Sequence, residues 1–385
     1  MAYDFIVFGG TGQQGRICSR DLLEQGYRVL LVGRDASKIQ SLLKKHRNAG
    51  FRAVDIRNQR AISEAIKSSG SGIVVNCAEL IFNVSIMKAC LKARVSCTDL
   101  GGLQYVTQEQ FKLNAAFRKA GILCLTGCGS TPGIANVMAS HAVGRLDSVD
   151  TLMAGFAWDS NMKQFVVPYS IQSIFDEFTQ APVIFQNGKF TKSDRMVCQG
   201  TFDFKTVGKQ TVYCIVHSEV LTFARYYKKK GLKEVHYMAG FPEHSLRVIR
   251  MLMDLGFDSK QEVSVNETLV KPLDFTIQVL KRLPIPKGYD ETEDIWVRGE
   301  GMKGGKKKEV TMECVVKTVK GWEEAGSNID TGRTIAVMST MLKQGLIKGT
   351  GVHAPEAVVP HKHFFAELEK RGMRIFEDGK RFHHE

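Results

Sequence analysis

Along the first 130 residues, hydrophobic and polar positions repeat one unit. A short, almost unbroken apolar run leads into a turn of small residues, and roughly ten to fifteen residues with apolar positions at helical spacing follow. The runs occupy residues 5–8, 27–33, 52–56, 72–78, 95–99 and 122–126. Strands this uniformly apolar are buried on both faces, and their alternation with helices predicts a parallel sheet covered on both sides. After residue 129 the pattern changes. Strand-like segments at 151–158, 211–218, 233–238, 295–298 and 308–319 are interrupted by helical ones at 170–178, 244–255 and 271–281, which predicts an α+β unit with a mixed or antiparallel sheet. Helical periodicity returns at Thr331 and lasts to Leu346. The expected architecture is therefore a discontinuous first domain, residues 1–129 and 330–385, with a substrate and dimerisation domain, residues 130–329, inserted into it.

The first turn carries the sharpest motif. The run ending in Val7-Phe8 feeds Gly9-Gly10-Thr11-Gly12-Gln13-Gln14-Gly15, a G-x-G-x-x-G with a strand before it and a helix after it. In a doubly wound Rossmann fold, Gly10 would make the tight turn, Gly12 would admit a diphosphate and Gly15 would let helix and strand pack closely. Thr11, Gln13 and Gln14 complete the loop, and the helix N-terminus supplies N–H groups for the anion. A dinucleotide site is expected. Arg34 ends the second strand, where a carboxylate would favour NAD and a guanidinium can grip a 2′-phosphate, so NADP is favoured, with Ser37 and Lys38 nearby. Asp35 reads as a helix cap. Asp55 and Ile56 are placed at the adenine edge, and Asn76, Cys77 and Ala78 along the diphosphate or nicotinamide ribose. Asp99, Gly101, Gly127 and Gly129 end later strands at the same crevice.

Composition narrows the class. The chain has 385 residues, 43% hydrophobic and 24% charged, as expected of a soluble globular protein large enough for two cores. Apolar runs fall short of a membrane span, and the immediate start of a strand leaves no place for a signal peptide. The nine cysteines show no paired zinc spacing and several lie in apolar strands, which predicts reduced thiols, no metal and a cytoplasmic protein. Cys128, in a glycine loop, is the exception and a candidate reactive thiol. The net charge of +13 is spread along the chain. Its dense runs, Lys228–Lys230 and Lys303–Lys308, read as turns between strands, so nucleic acid is not expected as a partner.

Several motifs, in order, resemble the saccharopine dehydrogenase family over almost the whole length. They are the glycine loop with Arg34, Asp99-Leu100-Gly101-Gly102, and the turn Gly129-x-x-Pro132-Gly133. Tyr169-Ser170-Ile171-Gln172-Ser173-Ile174-Phe175, Asn187-Gly188-Lys189, Gly240-Phe241-Pro242-Glu243-His244 and Gly351-Val352-His353-Ala354-Pro355-Glu356 follow. The resemblance implies pyridine-nucleotide oxidation at a carbon–nitrogen bond of an amino acid, such as lysine or a lysine-derived substrate, in a homodimer. It also marks departures. Thr131 stands where saccharopine reductases carry an aspartate facing the substrate. Ser218 stands where they place a carboxylate-binding arginine, an argument against a substrate with three carboxylates. Asp99-Leu100-Gly101-Gly102 looks like the lysine 6-dehydrogenase branch, which generally favours NAD.

Amine oxidation needs a base, a substrate anchor and a carbon held against the nicotinamide. Asp99, His217 and Glu219 are the catalytic candidates; the last two alternate on an expected strand and would share a face. Thr131, Tyr169 and His244 are candidates for substrate binding. An enoyl or carbonyl reductase on the same scaffold, or a non-catalytic NADP(H) sensor, remain as alternatives.

Overall fold

The structure is a computed structural model and describes residues 2–167 and 171–383. Six strands come first: β1 (Phe5–Phe8), β2 (Val29–Gly33), β3 (Ala49–Ala53), β4 (Ile73–Asn76), β5 (Ser96–Asp99) and β6 (Leu123–Thr126). They pair in parallel in the order β3-β2-β1-β4-β5-β6, the doubly wound arrangement. β1, β4 and β6 are buried along their whole length, so they read as apolar runs. β3 ends at Ala53, so Asp55 and Ile56 fall beyond it and not within it. In the glycine loop, the left-handed position is Gly9, with φ +71°, and not Gly10; a Cβ there would lie 2.6 Å from the Ala78 nitrogen. A Cβ on Gly15 would lie 2.1 Å from the Gly9 carbonyl oxygen, so this glycine does set the closeness of strand and helix.

A helix at Ile134–Gly144, apolar almost all round, leads into the second sheet. Its strands are β7 (Ser148–Ser160), β8 (Val183–Gln186), β9 (Lys189–Lys192), β10 (Gln199–Phe204), β11 (Gly208–Cys214), β12 (Glu234–Gly240), β15 (Glu291–Lys303) and β16 (Lys306–Lys317), while β13 (Val263–Val265) and β14 (Thr268–Val270) form a separate hairpin. The order β10-β11-β12-β7-β15-β16 is mixed, with β12 and β7 parallel and the other neighbours antiparallel. Lys303-Gly304-Gly305-Lys306 is a hairpin turn, as read from sequence. Lys228–Lys230 is instead a 3₁₀ turn closing a helix.

The chain then crosses back twice. The helix Ile329–Lys343 packs on the helix Gln13–Glu24, where a Cβ on Gly332 would lie 2.5 Å from the Ile17 Cβ. Asp21, buried on the first of these helices, receives Arg333 Nε at 2.7 Å and Arg371 Nη2 at 3.0 Å. β17 (Gly351–His353) extends the first sheet beside β6, but β18 (Arg374–Glu377) and β19 (Lys380–Arg381) extend the second sheet beyond β16. The closing segment is thus divided between the sheets, where the sequence assigned residues 330–385 to the first alone. One continuous core, from Phe5 and Val7 through Met138 to Phe156 and Ile295, joins both halves.

Two cysteine expectations change. Cys128 is fully buried, donates to the Leu125 carbonyl at 3.3 Å and has its thiol pushed up by burial, so it is an inert core residue. Cys198 and Cys214 are joined in a disulfide, not held as reduced thiols. No helix among the described residues is long and apolar enough to cross a membrane.

Candidate active site

A cleft of about 740 Å³ opens between the two sheets, within the usual range for a small-molecule site. The first sheet contributes Gln13 and Gln14 at the helix head, residues 77–81 after β4, residues 100–103 after β5, and the Ser130-Thr131-Pro132 turn. Phe156, Trp158, Glu293 and His217 face it from the second half, with Gln172, Ser173, Asp176 and Glu177 from the helix Ile171–Phe178. Tyr169 lies outside the described residues. His244 is half-buried at the start of the helix Glu243–Asp254 and does not line the cleft, so the proposed substrate contact is withdrawn.

On the cofactor side, Gly12 is the N-cap of the helix Gln13–Glu24, and no side chain caps it. Its first-turn N–H groups and the bare backbone of Gly9, Gly10 and Gly12 form a cradle that fits a diphosphate. Thr11 packs on Gly33, whose missing Cβ would sit 2.4 Å from the Thr11 hydroxyl. Beyond β2, Arg34 is exposed and Asp35 accepts from the Ser37 N–H at 3.0 Å and from its hydroxyl, so the Ser37 hydroxyl is committed to it; the 3₁₀ turn Ser37–Ile39 that follows has Ala36 as its N-cap, so Asp35 is not the cap expected from sequence. Asp55, gripped by the Arg57 guanidinium, is lowered to about 2, and Arg34 adds to the same field. Cys77, Ala78 and Gly101 line the cleft. Asn76 does not: its amide donates to Asn83 at 2.8 Å and its oxygen accepts from the Ala78 N–H at 3.0 Å.

Asp99 is also turned inward. It is 2% exposed and accepts from the Gly101 N–H at 2.8 Å and from Gln110 Nε2 at 2.6 Å, with the Thr126 hydroxyl at 3.0 Å. Burial raises its pKa to about 6, but both oxygens are occupied and neither reaches the cleft. Asp99 ties the loops after β5 and β6 together and is not a candidate base.

His217 and Glu219 do meet, though not as strand neighbours. β11 ends at Cys214; His217 lies in the following loop and Glu219 opens the helix Glu219–Tyr227. The loop is held against the first sheet by the Ser218 N–H, which donates to the Gly102 carbonyl at 3.0 Å. His217 Nδ1 bonds to Glu219 Oε2, and the Ser218 hydroxyl donates to the same oxygen at 3.3 Å. Burial pulls the His217 pKa down, but the adjoining Glu219 carboxylate outweighs it and the net shift is upward. With Nδ1–H pointed at Glu219, Nε2 is the nitrogen left to exchange a proton.

The sequence missed the cleft's acidic lining. Among the described residues, five carboxylates border it, Glu79, Asp176, Glu177, Glu293 and Asp330, against one lysine, Lys281, and His217. Burial raises Glu293 well above the carboxylate range, with the nearby charges of Asp330 and Glu291 adding to the effect. Burial likewise raises Asp330 to about 7. Glu291 lies behind them, accepting from Trp158 Nε1 at 3.0 Å and the Ser327 N–H at 2.5 Å, and so fixes Trp158 and the entry to the helix Ile329–Lys343. Such a lining attracts cations and repels polyanions to the extent that its acids are ionised, Asp330 joining above about pH 7 and Glu293 staying protonated near neutrality.

Comparison with known proteins agrees with the fold. Residues 5–125 match the saccharopine dehydrogenase NADP binding domain and residues 129–373 the saccharopine dehydrogenase C-terminal domain. A carboxynorspermidine synthase of Vibrio alginolyticus is 28% identical over 304 residues, 72% of each chain. A carboxyaminopropylagmatine dehydrogenase of Synechocystis is 22% identical over 392 aligned positions, 96% of each chain. The apo saccharopine dehydrogenase (L-Glu forming) of Saccharomyces cerevisiae superposes with a TM-score of 0.75 at 14% identity, covering 99% of this chain and 100% of that one, and shows the shared fold.

Proposed function

Because the chain belongs to the saccharopine dehydrogenase family of oxidoreductases, we propose that it is NADP-dependent and makes or breaks a carbon–nitrogen bond in a cationic, polyamine-like substrate. The observation that carries this reading is the cleft itself: five carboxylates border it in a chain whose overall charge is +13. Saccharopine, with three carboxylates, is poorly matched to that lining, and Thr131 and Ser218 supply no cation for it. Lysine-derived substrates fit insofar as they carry more amino than carboxyl groups. The names of the relatives, a carboxynorspermidine synthase and a carboxyaminopropylagmatine dehydrogenase, point to amine-rich molecules of this kind.

The residues divide the work. Asp176, Glu177 and ionised Asp330 hold ammonium groups, Glu293 adds a neutral hydrogen-bonding carboxyl, and Phe156 and Trp158 cover the methylenes between them. Lys281 at the rim meets a single carboxylate. His217 Nε2 takes the proton from the reacting nitrogen or returns it, while Glu219 holds the ring's tautomer and stabilises its charged form. A bound nicotinamide supplies or accepts the hydride at the carbon attached to that nitrogen. Arg34 supports NADP over NAD. Met251, Leu255, Leu269, Phe275 and Ile285, all exposed and all between residues 251 and 285 around the isolated β13–β14 hairpin in sequence, support a homodimer.

The test is isotopic. With NADPH deuterated at C4 and a diamine plus a carbonyl acid as co-substrates, the product should carry deuterium on the carbon newly bound to nitrogen. Deuterium on a carbinol carbon or on a carbon β to a carbonyl would replace this reading with a carbonyl or enoyl reductase.

A further inference from the structure

Cys198, just before β10, converges with Cys214 at the end of β11 and His236 on β12. The β10–β11 register pairs Gln199 with Tyr213, which sets Cys198 opposite Cys214, and the Cys214 N–H donates to the Cys198 carbonyl at 2.9 Å. Cys214 lies opposite Met238 on β12, two residues from His236, so all three side chains share one sheet face. Tyr237 stacks on His217 from the other face, which places the trio behind the strand that bears the catalytic stack.

His236 Nδ1 is 3.5 Å from Cys198 Sγ and 3.7 Å from Cys214 Sγ. In a tetrahedral zinc site with Zn–S of about 2.3 Å and Zn–N of about 2.0–2.1 Å, a sulfur and a nitrogen ligand lie about 3.6 Å apart. His236 Nε2 faces Glu234 Oε2 at 3.6 Å, the carboxylate behind histidine that orients metal-bound imidazoles. Cys214 is buried while Cys198 and His236 are half-buried, which leaves an open side for a fourth ligand from solvent.

We propose that Cys198, Cys214 and His236 form a redox-gated site for one zinc-class divalent cation, open only when the disulfide is reduced. A dithiol or phosphine reductant gives two electrons to the S–S bond and is itself oxidised, and two protons complete the cysteine thiols. Metal binding then displaces those two protons, and both sulfurs coordinate as thiolates with neutral His236 Nδ1. Re-oxidation by a disulfide-forming oxidant removes two electrons from the thiolates, rejoins the sulfurs and releases the cation. The sulfurs move from bonded contact to about 3.8 Å between these states. Sequence spacing hides the site because its ligands come from three separate segments of the chain.

The test uses the full-length protein, reduced with a phosphine and freed of it, with cobalt(II) as the spectroscopic probe. One equivalent should bind with a thiolate-to-cobalt charge-transfer band and tetrahedral d–d bands, and zinc(II) should displace it. The bands should vanish in the same protein after diamide oxidation and in Cys198→Ser. Absence of the charge-transfer band when thiol titration shows both cysteines reduced would overturn the proposal. So would an undiminished band in the oxidised wild type, a control that does not depend on how the variant folds.

Discussion

The His217 imidazole lies flat on the Tyr237 phenol, with ring centroids 3.9 Å apart and planes within 12°. Tyr237 fixes the ring's face and Glu219 its Nδ1 edge, so the imidazole has one orientation and offers Nε2 to the cleft. His217→Gln keeps the size of the side chain and removes the proposed base. Turnover should fall roughly 10²–10⁴-fold with little change in NADPH affinity. Unchanged turnover would return the proton transfer to another group.

Glu219 sets where that base titrates. Its carboxylate raises the His217 pKa, so Glu219→Gln should lower it. In the amine-oxidising direction the rate rises as His217 loses its proton, so the ascending limb of kcat against pH should move to lower pH in the variant. A limb that stays in place would separate Glu219 from the catalytic titration.

Asp176 and Asp330 are expected to act on binding. Asp330, raised to about 7, is neutral below that pH and ionised above it, so attraction for an ammonium group grows as the pH rises through about 7. KM for a cationic amine should fall over that interval in the wild type and flatten in Asp330→Asn. Asp176→Asn should raise KM roughly ten- to a hundredfold, the equivalent of one charge-assisted hydrogen bond, while kcat changes less. Equal losses in KM for an uncharged amine surrogate would assign these residues to structure instead.

Arg34→Ala should weaken NADPH binding roughly ten- to a hundredfold and leave NADH binding nearly unchanged, because only the 2′-phosphate is lost as a partner. Calorimetric titration of both nucleotides against both proteins reads the difference. Parallel losses for the two would remove Arg34 from the cofactor preference.

Asp21 is where the closing segment is held to the first sheet. Asp21→Asn takes the Asp21 carboxylate from two largely buried guanidinium groups, leaving Arg333 without it and Arg371 with Glu367 Oε2 alone, at 2.6 Å. Breaking a buried pair from one side costs about 3–5 kcal/mol. Urea unfolding should show a loss of that size, and a loss below about 1 kcal/mol would mean that the apolar contact of Gly332 with Ile17 suffices to dock the helix.

The first sheet was legible because burial on both faces writes β1, β4 and β6 as continuous apolar runs, and because Gly15 permits a contact no other residue can make. The loop after β11 was misread for a related reason. Ile215 and Val216 continue the apolar run of β11, yet the chain leaves the sheet at Cys214 to dock Ser218 on Gly102. The alternation thus suggested a shared strand face for His217 and Glu219, whereas a turn brings them together. Asp99 sat at the expected strand end, but small neighbours at Gly101 and Gly127 let the loops fold over it. The acidic lining was illegible: Asp176, Glu293 and Asp330 come from separate elements and each reads alone as an ordinary polar position.

The most direct measurement compares kcat/KM with NADP⁺ for a carboxylated polyamine and for saccharopine under the same conditions. The acidic cleft predicts a preference for the polyamine of at least roughly a hundredfold, the equivalent of about 2.7 kcal/mol of differential stabilisation, and Asp176→Asn should erode it. A preference for saccharopine would contradict the account, because it would require a cleft that welcomes three carboxylates beside Asp176, Glu177, Glu293 and Asp330.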